Sequence, residues 1–199
     1  MTVKNLFFVL SSLAICSLMP LVSVVADPGS PKAEIEDTIN QIIKTVASTP
    51  ETSVSTERRT KLRTLINPKF NFAEMSRRSL GPNWNDISAD EQSEFTEVFS
   101  ELLARTYLSK IETVKPGMVK VESESVDPPK AVVKTVVISK GDTFPIDYKL
   151  MVGSNGKWQV YDVVIENIGL VANYRNEFSG IIRKDKFSGL MERLRAKLG

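Results

Sequence analysis

The chain of 199 residues contains no histidine and a single cysteine, Cys16. Without histidine there is no Ser-His-Asp triad, no imidazole general base and no imidazole metal ligand. Cys16 lies in an apolar N-terminal run, so a chain processed beyond that run would carry neither a disulfide nor a thiolate metal site. A dominant charge sign is also missing. Charged residues make up 25% of the chain but leave a net charge of only +2, which is no footprint for nucleic acid. There is no Gly-rich phosphate loop and no G-x-S-x-G elbow. No catalytic residue, no cofactor and no metal site is therefore expected. Carboxylates are plentiful, but Glu34, Glu36 and Asp37, like Glu91 and Glu94, fall on polar helix faces and read as solvated charge. A glycosidase-like carboxylate pair stays open on sequence alone.

The N-terminus has the layout of an export signal. Lys4 precedes the apolar run Leu6-Phe7-Phe8-Val9-Leu10 and Leu13-Ala14-Ile15, which ends at Pro20 and a small-residue exit, Val24-Val25-Ala26. These features predict a signal peptide over residues 1–26, cleaved before Asp27, and a periplasmic protein of one domain over 27–199. Two other readings exist. The segment Leu6–Val25 is about long enough to span a membrane, although Pro20 and interior serines interrupt it. A lipid-modified Cys16 would need a small residue before it, where Ile15 stands.

Beyond the Pro28-Gly29-Ser30-Pro31 linker, Ile35, Ile39, Ile42, Ile43 and Val46 recur at helical spacing, predicting an amphipathic helix from Pro31 to about Ser48. After a polar break at Thr49–Ser55, Leu62, Leu65 and Ile66 mark a second helix. Phe72, Met75 and Leu80 mark a third, which stops at Gly81-Pro82. Ser88-Ala89-Asp90-Glu91 is a capping box ahead of the longest helix, with Phe95, Val98, Phe99, Leu102, Leu103, Tyr107 and Ile111 on its apolar face. The period then changes. Met118–Ser125, Lys130–Ser139, Thr143–Val152 and Lys157–Glu166 are β-branched and aromatic, separated by short turns, and predict a four-stranded antiparallel meander. Two helices close the chain, one carrying Leu170, Val171, Tyr174, Phe178, Ile181 and Ile182, the other Phe187, Leu190, Met191, Leu194 and Leu198. The expected class is α+β, with helices packed on one face of the sheet.

The unusual inventory is apolar. A sheet face with Val133, Val137, Phe144, Ile146, Tyr148 and Leu150 opposes helices with Phe99, Leu103, Tyr107, Leu170, Val171, Tyr174 and Phe178. On pattern alone these stripes form an ordinary packed core. The basic residues of the last helices, Arg183, Lys184, Lys186, Arg193, Arg195 and Lys197, read most simply as a solvated face.

One stretch carries more. The last strand, Trp158-Gln159-Val160-Tyr161-Asp162-Val163-Val164-Ile165-Glu166, runs within four residues into Leu170-Val171-Ala172-Asn173-Tyr174-Arg175-Asn176-Glu177-Phe178. Upstream stand Phe70-Asn71-Phe72-Ala73-Glu74-Met75-Ser76 and Leu80-Gly81-Pro82-Asn83-Trp84. In order and spacing these blocks resemble the periplasmic phospholipid-carrier family of the outer-membrane lipid asymmetry system, also called the toluene-tolerance family. The resemblance covers essentially all of the chain after Ala26. It departs after Glu166, where Asn167-Ile168-Gly169 replaces the family's frequent Gly-Val-Ser.

The resemblance implies a deep apolar cavity between sheet and helices that takes acyl chains. On that reading the apolar residues above other than Phe144, together with Phe72, Met75 and Val163, would bind lipid. It also implies a phospholipid cargo, an outer-membrane lipoprotein-porin complex as one partner and an inner-membrane ABC transporter with its substrate-binding ring as the other. The protein would then be no enzyme, and it is expected to be monomeric. Within the class, another lipid such as a hopanoid remains a reading. Outside it stand a small α+β enzyme with an apolar pocket and an envelope adaptor with a filled core. Asp162 reads as a cap or pair within the fold. Arg175 reads either as a structural partner or as a residue at the pocket mouth or a docking face.

Overall fold

The fold is taken from a computed structural model that describes residues 29–48 and 56–199. The predicted signal peptide and its cleavage point lie outside the described residues, as does the polar break at Thr49–Ser55. Helix α1, Pro31–Ala47, starts where predicted: Ser30 accepts from the Ala33 amide and Pro31 occupies the first turn. Glu124, from the first strand, accepts from the Lys32 amide at 2.8 Å and from the Ser30 hydroxyl, tying this helix end to the sheet. The indole of Trp158 donates to the Gly29 carbonyl at 2.8 Å.

Helix α2, Thr56–Ile66, runs through a short 3-10 turn into α3, Phe72–Leu80, which is capped by Asn71. At its far end Gly81 takes φ 57°, a backbone that side chains with a Cβ resist. Helix α4, Ala89–Ile111, carries the predicted capping box, with Ser88 and Glu91 bonded reciprocally.

The sheet follows in simple order, β1 Val119–Asp127, β2 Lys130–Ser139, β3 Asp142–Val152, β4 Trp158–Ile165 and β5 Ile168–Gly169, each antiparallel to the next. The sheet thus has five strands rather than the predicted four. The extra strand is two residues folded back by a tight turn at Glu166 and Asn167, both with positive φ. So short a run has no period to read. The two predicted closing helices are the halves of α5, Leu170–Leu198, which meet at a non-helical Lys186 with φ 61°. Among the described residues no helix is long and apolar enough to cross a membrane.

A bulge decides which residues of β4 face inward. Leu150 pairs with Val160 and Tyr148 with Val163, so two residues of β4, Tyr161 and Asp162, stand opposite Lys149. Strict alternation from Trp158 and Val160 would turn Asp162 and Val164 inward. The extra residue resets the phase and presents Val163 and Ile165 instead.

Two separate cores result. Helices α3, α4 and α5 enclose Met75, Phe95, Phe99, Leu102, Val171, Tyr174, Phe178 and Leu190. There Phe178 packs edge-on against Phe95 and Phe99, at 5.7 and 5.5 Å between ring centres, the geometry that opposed ring edges and faces favour. The second core lies between α1 and the sheet, where Ile35 meets Ala131, Val133, Leu150, Trp158 and Val160.

Candidate functional site: an apolar cavity between sheet and helices

Between the two cores lies a cavity of about 570 Å³. Helix α1 contributes Ile35, Thr38, Ile39 and Ile42. Helices α3 and α4 contribute Phe72, Met75, Leu103, Tyr107, Leu108 and Ile111, and the sheet contributes Val119, Val137, Phe144, Ile146, Tyr148, Val160, Val163 and Ile165. A wall this apolar excludes charge and offers acyl or aromatic groups a refuge from water.

Polar groups on the wall are few. Arg63 lines the cavity but is held by Glu101 of α4, and Lys69 is held by Glu34 of α1. The hydrogen bond to Arg63 depresses the Glu101 pKa below the usual carboxylate range and raises that of Arg63. Tyr148 exposes its surface to the cavity, and burial pushes its phenol up to about 12. Burial also raises the phenol of Tyr107. Both rings stay neutral at physiological pH, so neither puts charge into the cavity.

The structure divides the residues singled out from sequence. Phe72, Met75, Leu103, Tyr107 and Leu170 line the cavity from the helices, and Val137, Ile146, Tyr148 and Val163 line it from the sheet, beside Phe144. Phe99, Val171, Tyr174 and Phe178 do not. They fill the helical core, because α5 turns that face onto α4. Val133 and Leu150 are likewise off the cavity, at 0% and 1% exposure, packed under Ile35. Alternation places a residue on a face of the sheet without saying how far along that face the cavity extends.

Sequence reasoning missed the α1 wall (Ile35, Ile39, Ile42), the apolar residues in the last turns of α4 (Leu108, Ile111) and Val114 just beyond it. A signal was present. The isoleucine stripe of α1 reads as amphipathic from the sequence, and such a stripe must face an apolar surface elsewhere in the fold.

The polar residues of the two sequence blocks serve the fold. Asp162, 7% exposed, accepts from the Val171 amide at 3.0 Å and from Lys149 at 3.1 Å. Gly169 has no side chain to cap α5, so Asp162 caps it from the neighbouring strand. Arg175 donates from Nε to the Arg78 carbonyl at 2.7 Å and lies along Gly81. Arg78 in turn stacks over the Tyr161 ring at 4.4 Å. Together these contacts tie α3 and the start of α5 to each other and to β4. On the last half of α5, Arg193, Arg195 and Lys197 are paired with Asp185, Glu94 and Glu177.

An antiparallel sheet with helices on one face and an apolar chamber between them is an α+β domain built around a cavity. The chain's residues 36–196 match the family model "MlaC protein", and the chain belongs to the MlaC family. It is 23% identical over 141 residues to the intermembrane phospholipid transport system binding protein MlaC of Haemophilus influenzae. That alignment covers 68% of this chain and 66% of the relative, just under two thirds of its length. Among solved structures, the chain resembles the phospholipid-binding protein from Ralstonia solanacearum in complex with a phospholipid, with a TM-score of 0.75 and 23% identity. That match covers 83% of this chain and 94% of the other, and shows the same fold.

Proposed function

We propose that this protein is a periplasmic phospholipid carrier that shuttles lipid between an outer-membrane lipoprotein-porin complex and an inner-membrane ABC transporter with its substrate-binding ring. The observation that carries the proposal is the cavity, an apolar chamber of about 570 Å³ walled by α1, α4 and the sheet. Family membership and the phospholipid named for both relatives support it.

The energetics suit a carrier. A diacyl lipid has about 28 chain methylenes, whose exposure to water at ~0.8 kcal/mol each would cost roughly 20 kcal/mol. If a methylene takes about the ~30 Å³ of a water molecule, the cavity houses roughly 19 of them. That covers one whole chain and part of the second. Ile39 and Ile42, half-buried on α1, are the apolar surface along which the remainder would lie. Because the bilayer offers nearly the same apolar refuge, exchange between membrane and cavity runs close to thermoneutral. The carrier itself then needs no nucleotide site. We read it as a carrier rather than an enzyme because the chain belongs to the MlaC family and both relatives are named for phospholipid transport or phospholipid binding.

The test is a transfer assay. Protein loaded with labelled phospholipid is mixed with the purified inner-membrane complex in nanodiscs and with protein-free nanodiscs. The proposal expects label to reach the complex much faster than the bare bilayer. Equal rates would remove the partner half of the reading, and no loading at all would remove the carrier half.

A further inference from the structure

Two charges of opposite sign stand at the cavity mouth. Lys110 and Glu166 both line the cavity and are both exposed, so each side chain lies where the chamber meets solvent. Topology brings them to one end. Strands β1 and β3 begin, and β2 and β4 end, at the same end of the sheet; Val119, Val137 and Phe144 are in register there, and Ile146 opposite Ile165 is close behind. Glu166 follows β4 directly. Lys110, near the end of α4, is joined to the start of β1 by a short link.

The other charges on the wall are neutralised, Arg63 by Glu101 and Lys69 by Glu34. Among the described residues neither Lys110 nor Glu166 has an ion-pair partner. Lys110 rests instead over the Tyr107 ring, one helical turn back, at 5.8 Å. The nearest carboxylate in sequence, Glu112, is held by Arg59.

Glu166 also occupies an unfavourable backbone. It takes φ 48° in the two-residue turn between β4 and β5, a position that suits Gly, Asn or Asp. Its neighbour Asn167 obeys that preference and Glu166 does not. Its amide donates to the Pro145 carbonyl at 3.0 Å, but among the described residues its carboxylate has no partner, and a side chain that breaks a local rule without a contact of its own is a candidate for a functional one.

We propose that Lys110 and Glu166 form a headgroup site for a zwitterionic, ammonium-bearing phospholipid, Lys110 meeting the phosphate and Glu166 the ammonium. This rests on the carrier reading and adds a headgroup class to it. A tail-first lipid leaves its headgroup at the mouth, where an ammonium group finds a carboxylate and a purely anionic headgroup is repelled by one. Exposed ion pairs are individually weak, at most about a fivefold effect on binding. The preference is therefore a bias of roughly two- to fivefold, and high salt screens it.

The experiment equilibrates protein expressed from the full chain with vesicles of equal parts chain-matched phosphatidylethanolamine and phosphatidylglycerol. The protein is then re-isolated, and both the ratio and the total of bound lipids are read by mass spectrometry. The wild type is expected to enrich phosphatidylethanolamine two- to fivefold. Glu166→Gln should bring the ratio to about one, and Glu166→Lys should invert it. Glu192→Gln, an exposed charge on α5 away from the mouth, should keep the wild-type ratio. A wild-type ratio of one overturns the proposal, as does an enrichment that survives Glu166→Gln. No lipid of either kind on the wild type overturns the carrier reading with it, whereas abundant lipid without enrichment leaves that reading standing.

Discussion

Cavity and core are separated most sharply by two tryptophans placed four residues apart on β3. Ile146 and Leu150 face the same side of the sheet, opposite Thr135 and Ala131 on β2. Ile146 lines the cavity, whereas Leu150 is 1% exposed beneath Ile35 and Trp158. Leu150→Trp must force an indole into close-packed surroundings, at a cost of about 1–3 kcal/mol. In a domain of this size each kcal/mol moves Tm by roughly 2–4 °C, so Tm should fall by about 2–12 °C. Ile146→Trp instead extends into the chamber and should shift Tm by less than about 2 °C, while displacing acyl chain and lowering lipid uptake. Bound lipid adds stability of its own, about 2.7 kcal/mol at a hundredfold excess over Kd. The comparison is therefore made by calorimetry on delipidated proteins, with uptake measured separately from labelled vesicles. An Ile146→Trp variant as destabilised as Leu150→Trp, or one that still takes up a full complement of lipid, would refute the boundary between cavity and core.

Asp162→Ala removes the cap of α5 and the partner of Lys149, and should cost about 1–3 kcal/mol in urea unfolding, with loss of lipid retention as α5 loosens from β4. Gly81→Ala places a Cβ at φ 57° and should cost about 1 kcal/mol by the same measurement. Acid should destabilise the fold through Glu74 and Glu101, whose pKa values are depressed by hydrogen bonds to Arg77 and Arg63. Their contribution is present above the unfolded value of about 4.3 and is lost as pH falls through the lower folded values, so stability should drop below about pH 4.5. Alkali acts through Tyr148 and Tyr174, whose phenols burial raises to about 12. Stability from these groups is complete below pH 10 and is lost as pH rises toward 12, so Tyr148→Phe should flatten the decline between those limits.

Most of the fold is legible in the sequence because its elements announce themselves locally. The Ser88–Glu91 capping box and the Lys130–Ser139 strand appear at their expected places. The strand Ile168–Gly169 was not legible, since a two-residue ladder depends on the Glu166-Asn167 turn rather than on any pattern. The break at Lys186 appears in the sequence only as a gap between two apolar stripes. For the site, period-two alternation selected the correct face of β2 and β3. It could not tell Ile146 in the chamber from Leu150 in the core, because depth along a strand is set by what α1 places opposite it. Tyr174 and Phe178 were misplaced for a related reason. Their stripe has two possible neighbours, the sheet and α4, and the packing of rings on Phe99 chooses α4. Asp162, read from sequence as a cap or pair within the fold, does both, because the strand-to-helix turn leaves α5 without a cap of its own.

The central claim is that the chamber between α1, α4 and the sheet is a phospholipid site. Native mass spectrometry of protein gently purified from envelope-rich cells, followed by organic extraction of the same sample, tests it most directly. The account predicts about one phospholipid per chain, lost in Ile146→Trp and kept in the presence of chelators. Protein that is lipid-free under those conditions, or that carries a different class of small molecule in the same stoichiometry, would contradict it.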